Sequence, residues 1–367
     1  MQSQKEIGKS LYEISDEDSQ RTSILKLWMA ILVVFLHSAV REIHFDGENM
    51  TFMFPAWLDY MEFIVEDVIA KIAVPGFFVV SAVFLYRKPF DWQKNMAKKL
   101  HSLVIPYFIM NTLWVAFFFV AQHIPAVSIY FSNPKNVVAN WNIHDWLNAY
   151  FGIYNDGSGP ILGPLWFIRD LFVLNVISKG LKWGIDRFPK IAALGLCIMY
   201  FFGVDTHIFF LSIPSVFYFC VGYYIVKYNL HFSDLDKFST PLLAAAYAGI
   251  IFANCIVRGT KLMYFVRTIA IIIGLLFFAK CTAQVKPGRW KRVLLWLSQY
   301  TMAIYMFHEH TLNILTKVVV RLFPPGAFYL LVQFIGNGTA IIVFCIGVGY
   351  YMKTHLPKVY ALLTGNR

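Results

Sequence analysis

Long apolar runs dominate the sequence and constrain its fold more than any other feature. A helix needs about 20 mostly apolar residues to cross the hydrocarbon core of a bilayer, and ten stretches reach or approach that length. We therefore predict an all-α polytopic membrane helical bundle with about ten transmembrane helices. The predicted spans cover residues 24–40, 63–86, 102–122, 162–178, 191–204, 208–227, 241–257, 262–280, 293–313 and 328–352.

The composition supports a membrane protein and excludes several other classes. Of 367 residues, 58% are hydrophobic and only 14% are charged, unlike an ordinary soluble domain. The formal net charge is +11, but Lys and Arg cluster in short loops between apolar runs, as membrane topology requires. We therefore expect no nucleic acid partner. The five cysteines occur singly, so we expect neither a disulfide framework nor a metal site.

Lys and Arg residues are distributed unequally over the two sides of the predicted membrane. With the N-terminus inside, 23 of the 32 fall in inner segments and eight in outer segments. This bias predicts that both termini are cytoplasmic, in a multi-pass protein of the plasma or inner membrane. We expect cytoplasmic tails over residues 1–23 and 353–367 and a transmembrane domain over residues 24–352. The first tail is polar and mixed in charge, so it does not resemble a cleavable signal.

Two predicted outer loops are long, and their composition suggests a binding site. Residues 41–62 are acidic and aromatic, and residues 123–161 are rich in Asn, Tyr, Trp, Gly and Pro. Long loops with such residues often carry function. Aromatic rings can cover sugar faces while amides and carboxylates bind hydroxyl groups. An interfacial aromatic belt explains the same composition.

A few ionisable residues lie within the apolar runs, where they are costly and often functional. Lys26 precedes His37 by eleven residues, close to three helical turns, so both are expected on nearly the same helix face. With the predicted orientation, His37, Arg169 and His308 all fall in the outer half of the bilayer. Lys26 would mark the cytoplasmic end. Interhelical hydrogen bonds by the histidines and snorkelling by Lys26 are the structural alternatives.

Several motifs in order along the chain resemble the acyltransferase-3 family. They are the Lys26 to His37 spacing, VPGFFVVSA at 74–82, KKLHSLVIPY at 98–107, GPLWFIRDLFVL at 163–174 and MAIYMFHEHTL at 302–312. The resemblance covers roughly residues 20–350, in a form without a fused soluble hydrolase-like domain. It implies a multi-pass enzyme that acylates sugars or other acceptors, often with acetyl groups from acetyl-coenzyme A. The chain departs from the family at Ala82, where Gly is usual, and at Lys99 and Ser102, where paired arginines are usual.

The chemistry of acyl transfer assigns roles to the ionisable residues. A base must take the proton of the attacking hydroxyl group, and His37 is our candidate because imidazole titrates near neutral pH. Arg169 is the candidate donor to the developing oxyanion, because a guanidinium stays charged when buried. His308 would orient the acceptor or the oxyanion.

The remaining assignments concern the two substrates. Lys26, Lys98 and Lys99 are expected to bind the phosphates of acetyl-CoA or another acyl-CoA. That donor is a co-substrate, and we expect no permanently bound cofactor and no metal. The carbohydrate or lipid-linked glycan acceptor is expected to meet the carboxylates of the outer side. These are Asp59, Glu62, Glu66 and Glu309, with His310 beside Glu309.

The sequence leaves a second function open. A bundle lined with polar groups and carrying long outer loops would also suit a transporter or flippase of a lipid-linked sugar or small metabolite. Transporters often contain internal repeats and interrupted helices in matching positions, and we find neither pattern. The sequence thus favours an O-acyltransferase, with lipid bilayer, acyl-CoA and glycan as partners and homo-oligomerisation left open.

Overall fold

The computed structural model describes residues 12–39, 41–45, 47–152, 160–204, 211–323 and 326–365, and these residues are largely helical. Parts of both predicted tails and residues 153–159 of the second outer loop lie outside the described residues. The α-helices are α1 (Asp16–Leu36), α2 (Ala56–Glu62), α3 (Ala73–Tyr86), α4 (Trp92–Lys99), α5 (Ile105–Gln122), α6 (Pro125–Ser128), α7 (Ile143–Phe151), α8 (Trp166–Arg187), α9 (Pro189–Phe201), α10 (Ile213–Lys227), α11 (Thr240–Ile256), α12 (Met263–Cys281), α13 (Arg289–Ser298), α14 (Thr301–Leu322), α15 (Ala327–His355) and α16 (Pro357–Thr364). Strands β1 (Glu42–Phe45) and β2 (Glu48–Thr51) form an antiparallel pair.

The prediction of an all-α membrane protein is confirmed. Five continuous helical segments are long and apolar enough to cross a membrane. They are Asp16–Leu36, Ala56–Tyr86, Trp92–Gln122, Met263–Gln284 and Phe328–His355. Helices α9, α10 and α11 are also apolar but shorter. A total of ten spans and the cytoplasmic position of both termini stay predictions.

Three predicted boundaries differ from the structure. Helix α1 begins at Asp16, within the predicted tail, and ends at Leu36, so His37 follows the helix instead of lying inside it. The predicted span 293–313 is divided between α13 and α14, because Tyr300 leaves helical geometry at φ −104°, ψ 7°. The predicted C-terminal tail contains α16, whose Tyr360 and Leu363 are buried. The apolar pattern of α16 extends over only eight residues, too few to distinguish a helix from a disordered tail by sequence.

Prolines explain why two long helical segments change their winding. A proline has no N–H to donate to the carbonyl four residues earlier, and its ring crowds that carbonyl. Residues 100–104 form a π-helical turn just before Pro106, and Phe63–Ile69 and Ala70–Ile72 form π and 3₁₀ turns before Pro75. Such turns accommodate a proline without ending the helix.

The chain forms two compact units, each assembled from three separate stretches. The first unit comprises Met1–Leu32, Asp67–Lys98 and Asp170–Gln299, and the second comprises Val33–Glu66, Lys99–Arg169 and Tyr300–Arg367. In the first unit α3 packs against α10. A Cβ at Gly222 would lie only 2.4 Å from the Val79 carbonyl oxygen, so glycine is what allows these two helices to approach so closely.

A buried arginine fixes one end of the first unit. Arg21 is 1% exposed and binds both carboxylate oxygens of Asp236, at 2.9 and 3.0 Å, and the hydroxyl group of Thr282. Lys280 also lies within 3.4 Å of Asp236. Partial burial opposes ionisation of Asp236, but the hydrogen bonds from Arg21 and Lys280 outweigh it and lower the pKa of this carboxyl. The pair therefore holds α1 to the segment between α10 and α11.

In the second unit α14 packs along α15, and α16 returns to the start of α5. Gly349 on α15 faces Ala303 and Tyr300, where an added Cβ would come within 2.8 Å of the Ala303 Cβ. Gly365 ends α16 with φ +66°, and its position lies against the backbone of Ser102. The Ser102 carbonyl is the one that Pro106 leaves without a helical partner. The backbone of Ser102 thus packs against the end of the C-terminal helix.

Candidate functional site

A cavity of about 520 Å³ lies within the second unit and joins the two long loops that were predicted to be outer loops. Both predicted loops contribute, together with one face of α14. Its walls combine aromatic rings, amides, carboxylates and cations. The polar and aromatic lining consists of Glu42, His44, Phe118, Tyr130, Phe131, Asn133, Lys135, Asn136, Trp141, Asp145, Asn148, Glu309, His310, Asn313, Thr316 and Lys317. The volume suits a small polar molecule or one or two sugar residues.

Helix α14 supplies the cavity with a polar stripe. Glu309, Asn313 and Thr316 follow one another at steps of four and three residues, and His310 and Lys317 lie beside them. Residues at this spacing share one face of a helix. Sequence reasoning noted Glu309 and His310 but missed the rest of the stripe. The helical spacing of polar residues in an otherwise apolar segment was the available signal.

The second outer loop forms its own small core beside this stripe. Val115 and Phe118 of α5 pack with Phe131, Val138 and Ala149. Gln122 extends from α5 to donate to the carbonyl groups of Phe131 and Asn136 and accepts from the Val138 N–H. Asn142 and Asp145 form a capping box that starts α7. This local packing makes residues 131–149 of the loop a fixed wall of the cavity.

His37 and His308 lie next to each other. Their ring centroids are 5.5 Å apart and their planes are inclined by 40°. His37 follows the C-terminal end of α1 and is exposed, whereas His308 on α14 is fully buried. Two histidines that are far apart in the sequence therefore form one pair.

The hydrogen bonds of His308 define its tautomer. Its Nδ1 lies 2.9 Å from the Ile304 carbonyl oxygen and 3.0 Å from that of Tyr305. A carbonyl oxygen can only accept, so Nδ1 carries the proton and the neutral ring has a lone pair at Nε2. Within the described residues this Nε2 is buried and has no hydrogen-bond partner. The ring is thus arranged to accept a hydrogen bond.

Tyr305 and Gly163 connect α14 to the start of α8. The Tyr305 hydroxyl group donates to the Pro164 carbonyl oxygen. One turn later the Glu309 carboxylate accepts a hydrogen bond from the backbone of Gly163, whose added Cβ would lie 2.5 Å from Oε1. The absence of a side chain at Gly163 is therefore what allows Glu309 to approach.

Arg169 has a structural contact that the sequence did not predict. Its Nη1 donates to the carbonyl oxygens of Phe151, at 2.5 Å, and Gly152, at 3.1 Å, at the C-terminal end of α7. These carbonyls have no partner inside the helix and carry the negative end of its dipole. Gly152 has φ +57°, and an added Cβ would lie 2.9 Å from Arg169 Nη1. Arg169 therefore fixes α7, and a role at an oxyanion stays a prediction.

The predicted acceptor carboxylates in residues 59–66 have protein partners. Arg41 binds Asp59 at 2.7 Å and lies 3.5 Å from Glu62, which is 1% exposed. Glu66 accepts a hydrogen bond from the Ala39 N–H at 2.9 Å. None of these three residues lines the 520 Å³ cavity. Of the four predicted acceptor carboxylates, only that of Glu309 therefore belongs to a residue that lines the cavity.

The predicted donor-binding lysines are placed differently from one another. In the first unit Lys26 Nζ lies 5.6 Å from the centre of the Phe84 ring, and the Arg87 guanidinium lies 4.6 Å from the same ring. Arg87 is a cation that sequence reasoning did not select. Lys98 and Lys99 lie at the end of α4, with Lys98 exposed. Lys26 and Arg87 thus form a small cationic group around one aromatic ring.

The helices, the histidine pair and the polar cavity define an integral-membrane protein with a polar, aromatic-lined site. Comparison with known proteins then identifies the family. The chain belongs to the acyltransferase-3 family, because the acyltransferase domain model matches residues 23–354. The resemblance seen in the sequence motifs is confirmed, and the prediction of an acyltransferase is confirmed at the level of the family.

One curated relative is the succinoglycan biosynthesis protein ExoH of Rhizobium meliloti (strain 1021). It is 24% identical over 234 residues, which are 63% of this chain and 60% of the relative. The chain therefore spans less than two thirds of the relative's length. No solved structure matches the chain.

Proposed function

We propose that this protein is an integral-membrane acyltransferase that moves an acyl group, acetyl in the first instance, from a cytoplasmic acyl-CoA to a hydroxyl group of an extracytoplasmic or lipid-linked carbohydrate. The observation that carries the proposal is the His37–His308 pair, which belongs to the same compact unit as the polar and aromatic cavity. Family membership supports the acyl transfer, and the lining of the cavity supports the carbohydrate.

The lining suits a sugar for two physical reasons. Trp141 and Tyr130 offer apolar ring surfaces of the kind that cover the C–H faces of pyranose rings. Asp145, Asn148 and Asn313 offer acceptors and donors to hydroxyl groups. The curated relative is named for the biosynthesis of succinoglycan, which agrees with a carbohydrate acceptor.

The tautomer of His308 assigns a direction to proton transfer. Its Nε2 lone pair has no partner within the described residues, and in the proposed reaction it accepts the N–H of the adjacent His37 ring, so that the other nitrogen of His37 acts as the base toward the substrate. His37 takes the proton of the acceptor hydroxyl group, and the oxygen bonds to the acyl carbon. When the C–S bond breaks, His37 returns the proton to the departing thiolate, giving the ester and free CoA thiol. His308 holds the base in one tautomer, as the carboxylate does in a catalytic triad.

Arg169 is our proposed donor to the oxyanion. A guanidinium has five N–H donors in a fixed fork, and Nη1 of Arg169 donates to the carbonyl oxygens of Phe151 and Gly152. The bond to α7 gives the group a fixed orientation, which is what a preorganised donor requires. The proposal therefore assigns Arg169 both an anchoring and an electrostatic role.

For the donor we propose binding of the CoA phosphates by Lys26, Lys98 and Lys99, with Arg87 added. Lys26 and Arg87 both lie against the Phe84 ring and concentrate positive charge there. The distribution of Lys and Arg favours a cell-membrane protein with cytoplasmic termini, and in the proposed orientation these residues face the side where acyl-CoA is made.

Purified protein in detergent, incubated with radiolabelled acetyl-CoA and a panel of glycosides, tests the proposal. We expect acceptor-dependent release of free thiol and label in the glycoside, and loss of both in His37→Ala. His355→Ala, the same chemical change at an exposed position, is the matched control. If reconstituted protein instead moves a glycoside across vesicles without any acyl transfer, the transporter alternative is correct and the proposal is wrong.

A further inference from the structure

The part of α14 that lines the cavity contains two acceptor atoms whose arrangement specifies the substrate more closely. We infer that Glu309 and His310 bind two hydroxyl groups of one acceptor molecule, so that the site selects a polyol such as a pyranose over a simple alcohol. This inference rests on the proposed function and concerns the acceptor subsite. It is supported by the hydrogen bonds of Glu309 and His310 and by the acceptor atom that each of them retains.

His310 has a defined proton position. Its Nε2 lies 2.7 Å from the Ile161 carbonyl oxygen, so Nε2 donates and, in the neutral ring, Nδ1 accepts. Trp114 and Phe118 hold the ring in edge-to-face contacts, with centroids 4.5 and 5.0 Å away. His310 is only 7% exposed and lines the cavity. The ring that carries this second acceptor is therefore held in a fixed position in the cavity wall.

Glu309 has one satisfied and one unsatisfied oxygen. The Gly163 backbone supports the carboxylate. Oε2 is buried and has no hydrogen-bond partner within the described residues. A buried carboxylate oxygen without a donor is costly, and Glu309 is part of the cavity wall. A ligand hydroxyl group would supply the missing donor.

Two adjacent acceptors need a ligand with two donors. Residues 309 and 310 differ by about 100° around α14, so their acceptors approach the cavity from different directions. A sugar carries several hydroxyl groups on a rigid ring and can meet both. A monohydric alcohol can meet only one and would leave the other acceptor unpaired, which a site built for hydroxyl groups penalises strongly.

Binding and transfer can be measured separately in the purified full chain. The probes are methyl glucoside, methyl galactoside, their monodeoxy derivatives and cyclohexanol, with radiolabelled glycosides for equilibrium binding and labelled acetyl-CoA for transfer. We expect at least one glycoside to bind, and cyclohexanol to bind at least tenfold more weakly. Removing a hydroxyl group that contacts Glu309 or His310 should weaken binding of that glycoside by roughly tenfold or more.

Substitutions test each acceptor. Glu309→Gln and His310→Phe are expected to raise the KM for the glycoside roughly tenfold or more with a smaller change in kcat. His310→Asn, which keeps an acceptor near the Nδ1 position, should retain most of the affinity. Glu48→Gln and His355→Phe make the same chemical changes at exposed positions and serve as controls.

Gly163→Ala gives an independent test if Glu309→Gln does not fold. The new Cβ would displace the Glu309 carboxylate without removing it, so glycoside affinity should fall, while Gly336→Ala, with open space around it, should not change it.

The inference is wrong if the Glu309 and His310 variants bind glycosides like the parent, or if the parent binds cyclohexanol as well as it binds glycosides. It is also wrong if no glycoside binds. Failure of the proposed function is distinguishable, because glycosides would then bind in a manner that depends on Glu309 and His310 but would receive no acyl group.

Discussion

Replacing His308 tests the histidine pair most directly. His308 has its acceptor at Nε2 because its Nδ1 donates to two carbonyl groups of its own helix. When His37 takes a proton it becomes charged, and a hydrogen bond to a charged group contributes about 1.5–3 kcal/mol. Loss of the acceptor should therefore lower kcat by roughly 10- to 150-fold.

Three variants separate this effect from packing. His308→Phe keeps a ring of similar shape but has no acceptor. His308→Asn places an amide near Nδ1, and His308→Gln places one near Nε2. We expect the Gln variant to retain more activity than the other two, because it alone restores an acceptor toward His37.

The assay is single-turnover acetyl transfer from radiolabelled acetyl-CoA to a glycoside, with thermal unfolding in detergent as the stability control. The Ile304 and Tyr305 carbonyls remain bonded within α14 in every variant, so we expect the cost in stability to stay near 1 kcal/mol. If all three variants show parental kcat and an unchanged pH–rate profile, the pair has no role in proton transfer and the proposed mechanism is refuted.

Three further substitutions extend this test. His37→Ala should lower kcat by about 10²–10⁴-fold but leave acetyl-CoA binding, measured by equilibrium dialysis, unchanged. Parental rates of acyl transfer in this variant would exclude His37 as the base. Arg169→Lys keeps the charge but loses the guanidinium fork that binds the Phe151 and Gly152 carbonyls. We therefore expect faster proteolysis between residues 141 and 161 and a loss in kcat of roughly 10²-fold. Altered proteolysis with parental kcat would limit Arg169 to anchoring. Asp236→Asn leaves Arg21 buried without its carboxylate and should lower the free energy of unfolding by about 2 kcal/mol, less than a fully buried pair would lose; an unchanged melting temperature would contradict that reasoning.

Sequence patterns predicted most where a structural property depends on residues that are close together in the chain. Apolar runs of membrane length predicted most of the helices, because a lipid-exposed backbone has to satisfy its own hydrogen bonds. The sequence also selected His37 and His308 as ionisable groups in apolar surroundings. It could not reveal that Asp59 and Glu62 are already paired with Arg41, because ion pairs between separate segments depend on how those segments pack.

Helix ends were predicted less well than helix existence. The polar start of α1 and the division between α13 and α14 depend on tertiary packing, since hydropathy detects apolar length and not the residue at which hydrogen bonding stops. Likewise, α16 is held by contacts with α5, α14 and α15. Its eight residues alone are too few to form a stable helix in water.

The amino-acid sequence by itself determined the class of this protein: a helical membrane chain with histidines in apolar surroundings, polar aromatic loops and the motifs of one acyltransferase family. These properties depend on amino-acid composition, on the spacing of apolar residues and on the order of the motifs, all of which are read directly along the chain. Only the tertiary structure decided that His37 meets His308, that Arg169 holds the end of α7, and that the two long loops enclose one cavity with Glu309 and His310. The histidine pair and the cavity join distant parts of the sequence, and even the contact of Arg169 with α7 spans 17 to 18 positions, so only tertiary packing fixes these relations.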